Sequence, residues 1–255
     1  MKLGMSGVLA HSYKSPAQQA RVVTEAWGEE NLYCPGCDSE HLTRSAPNRE
    51  AIDYTCPRCR ELFQLKSRST ALAAKILDAA YDSMERAIVR GETPNLFALH
   101  YDRIQWQVLN LLVVPRFAYS LSAIEKRKPL ALTARRANWV GCNILLGNIP
   151  PDARIPIVKG SVVTDARVVR ERYARLRPLE GIRHDARGWT LDVLNVVRAL
   201  NRNEFTLQDV YAFAPQLEKL HPDNRHVRDK IRQQLQRLRD LGFVEFLGHG
   251  RYRCV

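Results

Sequence analysis

The chain has 255 residues, 45% of them hydrophobic and 26% charged, which excludes collagen-like and wholly disordered classes and allows one large domain or two medium ones. Lys and Arg number 39 against 27 Asp and Glu, a formal charge of +12 that points to a polyanionic partner such as nucleic acid or an acidic membrane surface. No stretch approaches the roughly 18 apolar residues of a membrane span, and the start is too polar for a secretory signal, so a cytoplasmic protein outside the membrane is expected.

Ser15-Pro16-Ala17-Gln18 reads as a capped helix start with proline at the first helical position, leading into Val22, Val23, Ala26 and Trp27 at helical spacing. Glu25 lies on that helix and reads more readily as solvated surface than as an extra metal ligand. Next come Cys34-Pro-Gly-Cys37 and Cys56-Pro-Arg-Cys59, two tight turns separated by 18 residues. Each aims two thiolates at one point, and the spacing is that of a zinc ribbon, so Cys34, Cys37, Cys56 and Cys59 are expected to hold one structural Zn²⁺. Redox-active cysteine pairs would instead sit in a thioredoxin-like βαβ pattern, which is missing around them. Four cysteines close a tetrahedron and leave no catalytic position on the metal.

Flanking the second knuckle, Ala51-Ile52-Asp53-Tyr54-Thr55 and Leu62-Phe63-Gln64-Leu65-Lys66 are short β-type runs, so a hairpin with the metal at its tip is expected. Alternation along the second run puts Gln64 and Lys66 on one face, where Asp53 can meet them from the partner strand. A carboxylate, a second oxygen donor just before a lysine, and the Leu65 carbonyl between them form a set able to hold Mg²⁺ against a scissile phosphate. The same pattern also fits a half-exposed hairpin carrying ordinary polar residues. Further on, residues 71–90 carry Ile76, Ala79, Ala80, Met84, Ala87 and Ile88 at helical spacing, stopped by Gly91. Leu96–Leu99 and Val108–Val114 read as central strands, the second ended by Pro115, giving an α/β domain with a small mixed sheet. The run Lys126 to Asn143 then gathers Lys128, Arg135, Arg136 and Trp139, a loop composition suited to clamping phosphates and stacking on bases, or equally to a core tryptophan among solvated arginines.

From about Gly188 the pattern becomes helical and ends in a hairpin. Trp189–Leu200 forms a first helix; Thr206-Leu207-Gln208-Asp209 resembles a capping box for a short second one; a third runs from about Asn224 to Leu241 with Arg225, His226, Arg232 and Gln233 outward. Two strands around Leu247-Gly248-His249-Gly250 complete a winged-helix plan, whose third helix enters a major groove. Domains of 1–180 and 181–255 follow. From residue 183 there are 13 Lys and Arg against 9 Asp and Glu, so both parts carry net positive charge.

These segments together resemble the DpnI-like type IIM restriction endonucleases, which cut adenine-methylated DNA at GATC. The resemblance runs through Gln19-Ala20-Arg21, Thr24-Glu25, both knuckles, Leu65-Lys66-Ser67, Pro129–Asn143, Arg187-Gly188-Trp189-Thr190, Glu204–Leu207 and Lys230–Gln236. It implies an N-terminal PD-(D/E)xK nuclease domain bearing the zinc site and a C-terminal winged helix, each able to bind double-stranded DNA carrying N6-methyladenine; the protein is expected to be a monomer. Carried onto this chain, the motif's first acid falls on Asp53 and its lysine on Lys66, while the middle acid is replaced by Gln64 and the leading proline by Ile52. Asp53, Gln64 and the Leu65 carbonyl would bind Mg²⁺. The alternative is a methylated-DNA-binding protein or regulator that has lost cleavage, with Gln64 as the lesion; a zinc-ribbon nucleic-acid module without methylation preference is a third reading.

Overall fold

Proline at the first helical position presets the backbone, and α1 (Pro16–Asn31) begins where the sequence places it. The structure, a computed structural model, describes residues 1–46, 52–72 and 74–255; Ala51, at the head of the first β-type run, and Ala73, within the expected helix, lie outside the described residues. After α1 come β1 (Thr43–Arg44), β2 (Tyr54–Thr55), β3 (Leu62–Arg68), β4 (Lys75–Ala80), α2 (Tyr81–Arg90), β5 (Asn95–Asp102), β6 (Gln107–Val114), β7 (Ile124–Lys126), β8 (Gly141–Leu145), β9 (Ile155–Lys159), β10 (Val162–Val163) and α3 (Ala166–Leu176). The sheet expected to be small has seven strands, ordered β1-β2-β3-β5-β6-β9-β10, with β3 and β5 parallel and the other pairs antiparallel. Leu96, Phe97, Ala98 and Leu99 are all buried, as continuous apolar runs in a central strand require.

The helix expected over 71–90 is a helix only in its second half. Lys75–Ala80 is strand β4, which pairs with β8, itself paired with β7, in a separate three-stranded sheet. Ile76, Ala79 and Ala80 fit helical spacing, but residues 75–78 alternate: Lys75 and Leu77 face out while Ile76 and the Asp78 side chain are buried. Glu125 braces this sheet, accepting from Lys75 on one side and Asn143 on the other. Gly91 ends α2 with φ of 70°, a left-handed cap that glycine takes without strain.

The C-terminal part has α4 (His184–Ala199), β11 (Glu204–Thr206), α5 (Leu207–Tyr211), α6 (Ala214–Leu220), α7 (Val227–Asp240), β12 (Val244–Gly248) and β13 (Arg251–Cys254). Three details differ from the sequence reading. The first helix starts five residues before Trp189, so Gly188 lies inside it. The second is two short pieces, although Thr206 and Asp209 do form a reciprocal capping box. Arg225 and His226 precede the third helix, with His226 as its N-cap. Val227, Ile231, Leu235 and Leu238 face inward as expected, and β11 adds a third strand to the hairpin.

Helix α4 is buried on two sides, which explains why its apolar stripe alone mis-set its length. Leu191, Leu194 and Val197 pack into the helical bundle. The adjoining stripe, Gly188, Asp192, Asn195 and Arg198, meets the α/β part through polar contacts: Ser122 Oγ donates to Asp192, Asn195 to the Gly147 carbonyl, and Arg198 makes a two-pronged pair with Asp152.

Candidate active site and metal centre

Register fixes the centre of the site. Tyr54 pairs with Phe63 and Thr55 with Leu62, so Asp53 comes opposite Gln64, on the same face. The Asp53 amide donates to the Phe63 carbonyl, and its carboxylate Oδ2 accepts from the Leu65 amide at 2.7 Å. Since the N–H and C=O of one residue point to the same side of a strand, the Leu65 carbonyl also lies on this open edge of β3, beyond the end of the two-residue β2. Gln64 is buried, and Lys66 follows it on the same face.

Helix α1 forms the facing wall. Ala17, Ala20, Arg21, Thr24 and Glu25 share one face and, with Asp53, Gln64, Leu65, Lys66, Ser67 and Ala79, line a groove of about 470 Å³. Thr24 and Ser67 hydroxyls lie 3.0 Å apart and tie α1 to β3. Glu25 is therefore not solvated surface: it is buried, with its carboxylate clasped by Arg21 at 2.6 Å and by Arg44, and its backbone carbonyl receiving the Tyr54 hydroxyl. The sequence undervalued it because its helical neighbours gave no sign of the strand pair packed against them.

The Asp53 carboxyl is pushed above its ordinary value, first by desolvation and further by the nearby Glu25 charge, against the Leu65 amide, Lys66 and Arg21. Two carboxylates, an amide oxygen and a carbonyl are hard oxygen donors, and a groove that strains to keep its carboxylate charged is one that a small hard cation fits. Beyond Lys66 the charged lining is all cationic. A neighbouring channel is lined by Lys66, Arg68, Lys75 and Arg103 with Ser67, Ser69 and Thr70, and by no acidic residue. Sequence reading passed over Arg68, Lys75 and Arg103; the run Lys66-Ser-Arg-Ser-Thr70 was the available signal. Another residue it missed is Asp78, whose carboxylate is 2.8 Å from Lys66 Nζ.

The two knuckles meet. The sulfurs of Cys34, Cys37, Cys56 and Cys59 all lie within 4.8 Å of one another, with Cys34–Cys59 at 3.6 Å and Cys37–Cys56 at 3.5 Å. A tetrahedral ion with Zn–S bonds of about 2.3 Å sets neighbouring sulfurs roughly 3.8 Å apart, so the four donors fit it closely. Arg170 donates to the Cys34 and Ser39 carbonyls and Arg177 to that of Gly36, binding α3 to the first knuckle.

Of the DNA-facing candidates, Lys128, Arg135 and Arg136 are exposed on the β7–β8 loop. Trp139 is half-buried, its ring edge against Gly141 and Arg136 stacked over it at 4.8 Å. Arg225, His226, Arg232 and Gln233 are all exposed, in and just before α7, whereas the adjacent Gln234 is buried and takes a bond from Thr190. Among the described residues no helix is long and apolar enough to cross a membrane.

A groove that sets carboxylates beside a lysine and an arginine, opening on a cationic channel and joined to a helical unit with a β wing, is a surface that fits a phosphodiester polymer. The family model of the Dam-replacing family (DpnI) matches residues 1–181, and that of the Dam-replacing HTH domain matches residues 185–254. The chain belongs to this DpnI-like family of restriction enzymes, with an α/β N-terminal domain bearing the cysteine cluster and a C-terminal helix-turn-helix domain.

Proposed function

We propose that the protein is a modification-dependent endonuclease that hydrolyses double-stranded DNA at GATC sites carrying N6-methyladenine, with a PD-(D/E)xK-type site at Asp53, Gln64 and Lys66 and a structural Zn²⁺ on Cys34, Cys37, Cys56 and Cys59. The observation that carries this reading is the convergence of Asp53, Gln64, the Leu65 edge and Lys66 on one groove, in a chain of this family. Asp53, the Gln64 side-chain oxygen and the Leu65 carbonyl would hold Mg²⁺, which when bound supplies a Lewis acid and an activated water. The protein's own part is positional and electrostatic: Lys66 offsets the charge gathering on the attacked phosphate, and the Leu65 amide fixes the Asp53 carboxylate. The channel of Arg68, Lys75 and Arg103 suits the flanking backbone.

One buried methyl is worth about 0.8 kcal/mol, less than tenfold. Strong methyl dependence therefore needs two methyls, pockets that leave polar groups unpaired when empty, or two readers. The β7–β8 loop with Trp139, Lys128, Arg135 and Arg136 is one reader in this proposal, and α7 with Arg225, His226, Arg232 and Gln233 is the other. Digestion of methylated and unmethylated GATC plasmid, with Mg²⁺ and with EDTA, tests it. Cleavage confined to methylated DNA with Mg²⁺ is expected, and equal cutting of both plasmids refutes the methyl dependence.

Gln64 favours a second reading, a methylated-DNA binder without cleavage, because an amide oxygen brings no charge to Mg²⁺. Gln64→Glu separates the two: it is expected to lower the Mg²⁺ concentration for half-maximal cleavage several-fold, whereas gain of cutting from an inactive parent would identify a decayed nuclease.

The second reader is testable alone. In a fragment starting near Gly181, the exposed stripe of α4 would be Gly188, Asp192, Asn195 and Arg198, polar enough to meet water, so the fragment is expected to fold and to prefer methylated GATC duplex. Arg225→Ala should weaken binding to every duplex and flatten its salt dependence if it meets phosphate, or erode sequence preference by about 1–3 kcal/mol if it meets a base. Equal affinity of the fragment for methylated, unmethylated and unrelated duplexes in a gel-shift titration would move all specificity to the loop around Trp139.

A further inference from the structure

Asp78 lies outside the motif that places Asp53 and Lys66, on a different sheet, yet it touches the lysine. Its side chain is 2% exposed, and Oδ1 lies 2.8 Å from Lys66 Nζ. The angle is outside the hydrogen-bonding range, which leaves that buried oxygen with an ionic partner and no hydrogen bond. A carboxylate is kept at this depth only where a cation offsets it. The neighbouring Cys142 and Tyr119 feel its charge. The Cys142 thiol is pushed up to about 11 by burial, with the Asp78 charge adding, and the Tyr119 hydroxyl is raised by the same two causes.

The backbone is shaped to deliver this side chain. The β4–β8 register shifts between Leu77 and Ala80, a bulge that takes in Asp78 and Ala79, and Ala79 lines the groove. Bulges re-aim side chains beside sites. The Lys66 charge also reaches Asp53, whose carboxyl it draws down. Lys66 is thus drawn by a carboxylate of the large sheet and by one of the small sheet, while Gln64 beside it brings no charge.

We propose that Asp78 is the positioning residue of Lys66. A lysine ammonium sits on a flexible four-carbon stem, and a buried fixed anion selects one placement of it over the groove. A placement that depended on Asp53 alone would weaken whenever a cation claimed that carboxylate; Asp78 keeps the ammonium in place in both states. The proposal rests on the nuclease reading of the groove.

Asp78→Asn, which keeps the shape and removes the charge, is expected to slow single-turnover cleavage of methylated DNA about 10- to 100-fold in the full-length protein with Mg²⁺, at unchanged DNA affinity. Asp78→Glu is expected to recover part of that loss. A second readout does not need activity: brief acetylation of the protein alone, read by peptide mass spectrometry, should label Lys66 several-fold more in Asp78→Asn, with Lys75 and Lys126 labelled as in the parent. Parental cleavage and parental Lys66 labelling in Asp78→Asn would overturn the proposal. So would a general rise in lysine labelling with a lowered melting temperature, which would make Asp78 a structural residue. A parent protein that fails to cut methylated DNA would overturn the nuclease reading, and the role of Asp78 with it, and the parental lane alone reveals that case.

Discussion

Asp53→Asn and Lys66→Ala are expected to stop cleavage alike, by at least about 10²–10³-fold, and to move stability in opposite directions. Asp53 holds its proton more tightly in the folded chain than in the unfolded one, because burial and Glu25 raise it. Its contribution to folding is therefore favourable below the ordinary carboxylate range and is lost as pH rises through the raised value. At neutral pH the charged form strains the protein when no Mg²⁺ is bound, so Asp53→Asn should raise the melting temperature in buffer without Mg²⁺, by about 2–4 °C for each kcal/mol relieved. Lys66→Ala does the reverse. It leaves Asp78, 2% exposed, with no cation in contact. Removing one partner of a buried pair is costly, and the partial exposure of Lys66 puts the loss at the lower end, about 1–3 kcal/mol. Lys66→Ala/Asp78→Asn should recover the melting temperature but not the cutting. Thermal scans at neutral and mildly acidic pH, without added Mg²⁺ and without chelator, check both signs. Equal shifts for the two single variants would contradict this account of the groove.

If the four cysteines hold the proposed Zn²⁺, its loss should disable the groove as well as the knuckles. Strand β2 is two residues long and ends at Thr55, next to Cys56, so the placement of Asp53, three residues upstream of that thiolate, is tied to the turn that the cysteines close. Elemental analysis is expected to find one Zn²⁺ per chain. Structural zinc contributes folding free energy outright, of order 10 kcal/mol in small metal-dependent domains. After chelation, Mg²⁺ alone should fail to restore cleavage, while Mg²⁺ with Zn²⁺ should restore it. Full activity in protein holding less than half an equivalent of zinc would remove the metal from the argument.

The parts of the site written in short-range spacing were legible from the sequence. The CxxC pairs specify their own turn, and alternation along Leu62–Lys66 puts Gln64 and Lys66 on one face whatever the rest of the chain does. What depends on partners far along the chain was not legible. Glu25 sits on a helix whose burial is decided by β3, 40 residues later, and Asp78 lies on a strand whose pairing with β8 is decided by residues 141–145. Helical spacing of alanines over 75–80 cannot compete with that pairing. Helix α4 shows the same limit: its second face is buried by Ser122, Gly147 and Asp152, which no pattern within the helix announces.

The three-stranded sheet carries two things at once. Its β4 strand holds Asp78, and its β7–β8 hairpin extends into the loop of Lys128, Arg135, Arg136 and Trp139; Tyr81, just after β4, donates to the Val140 carbonyl at the root of that loop. If the loop reads DNA as proposed, a duplex that seats it badly would act on the same small sheet that carries Asp78. In the proposed nuclease each encounter with DNA would be a race between departure and strand scission. Linking grip and lysine through one sheet would then make a wrong site slow to be cut even when it is held well, so that an error of grip would end in departure rather than in a break in the DNA.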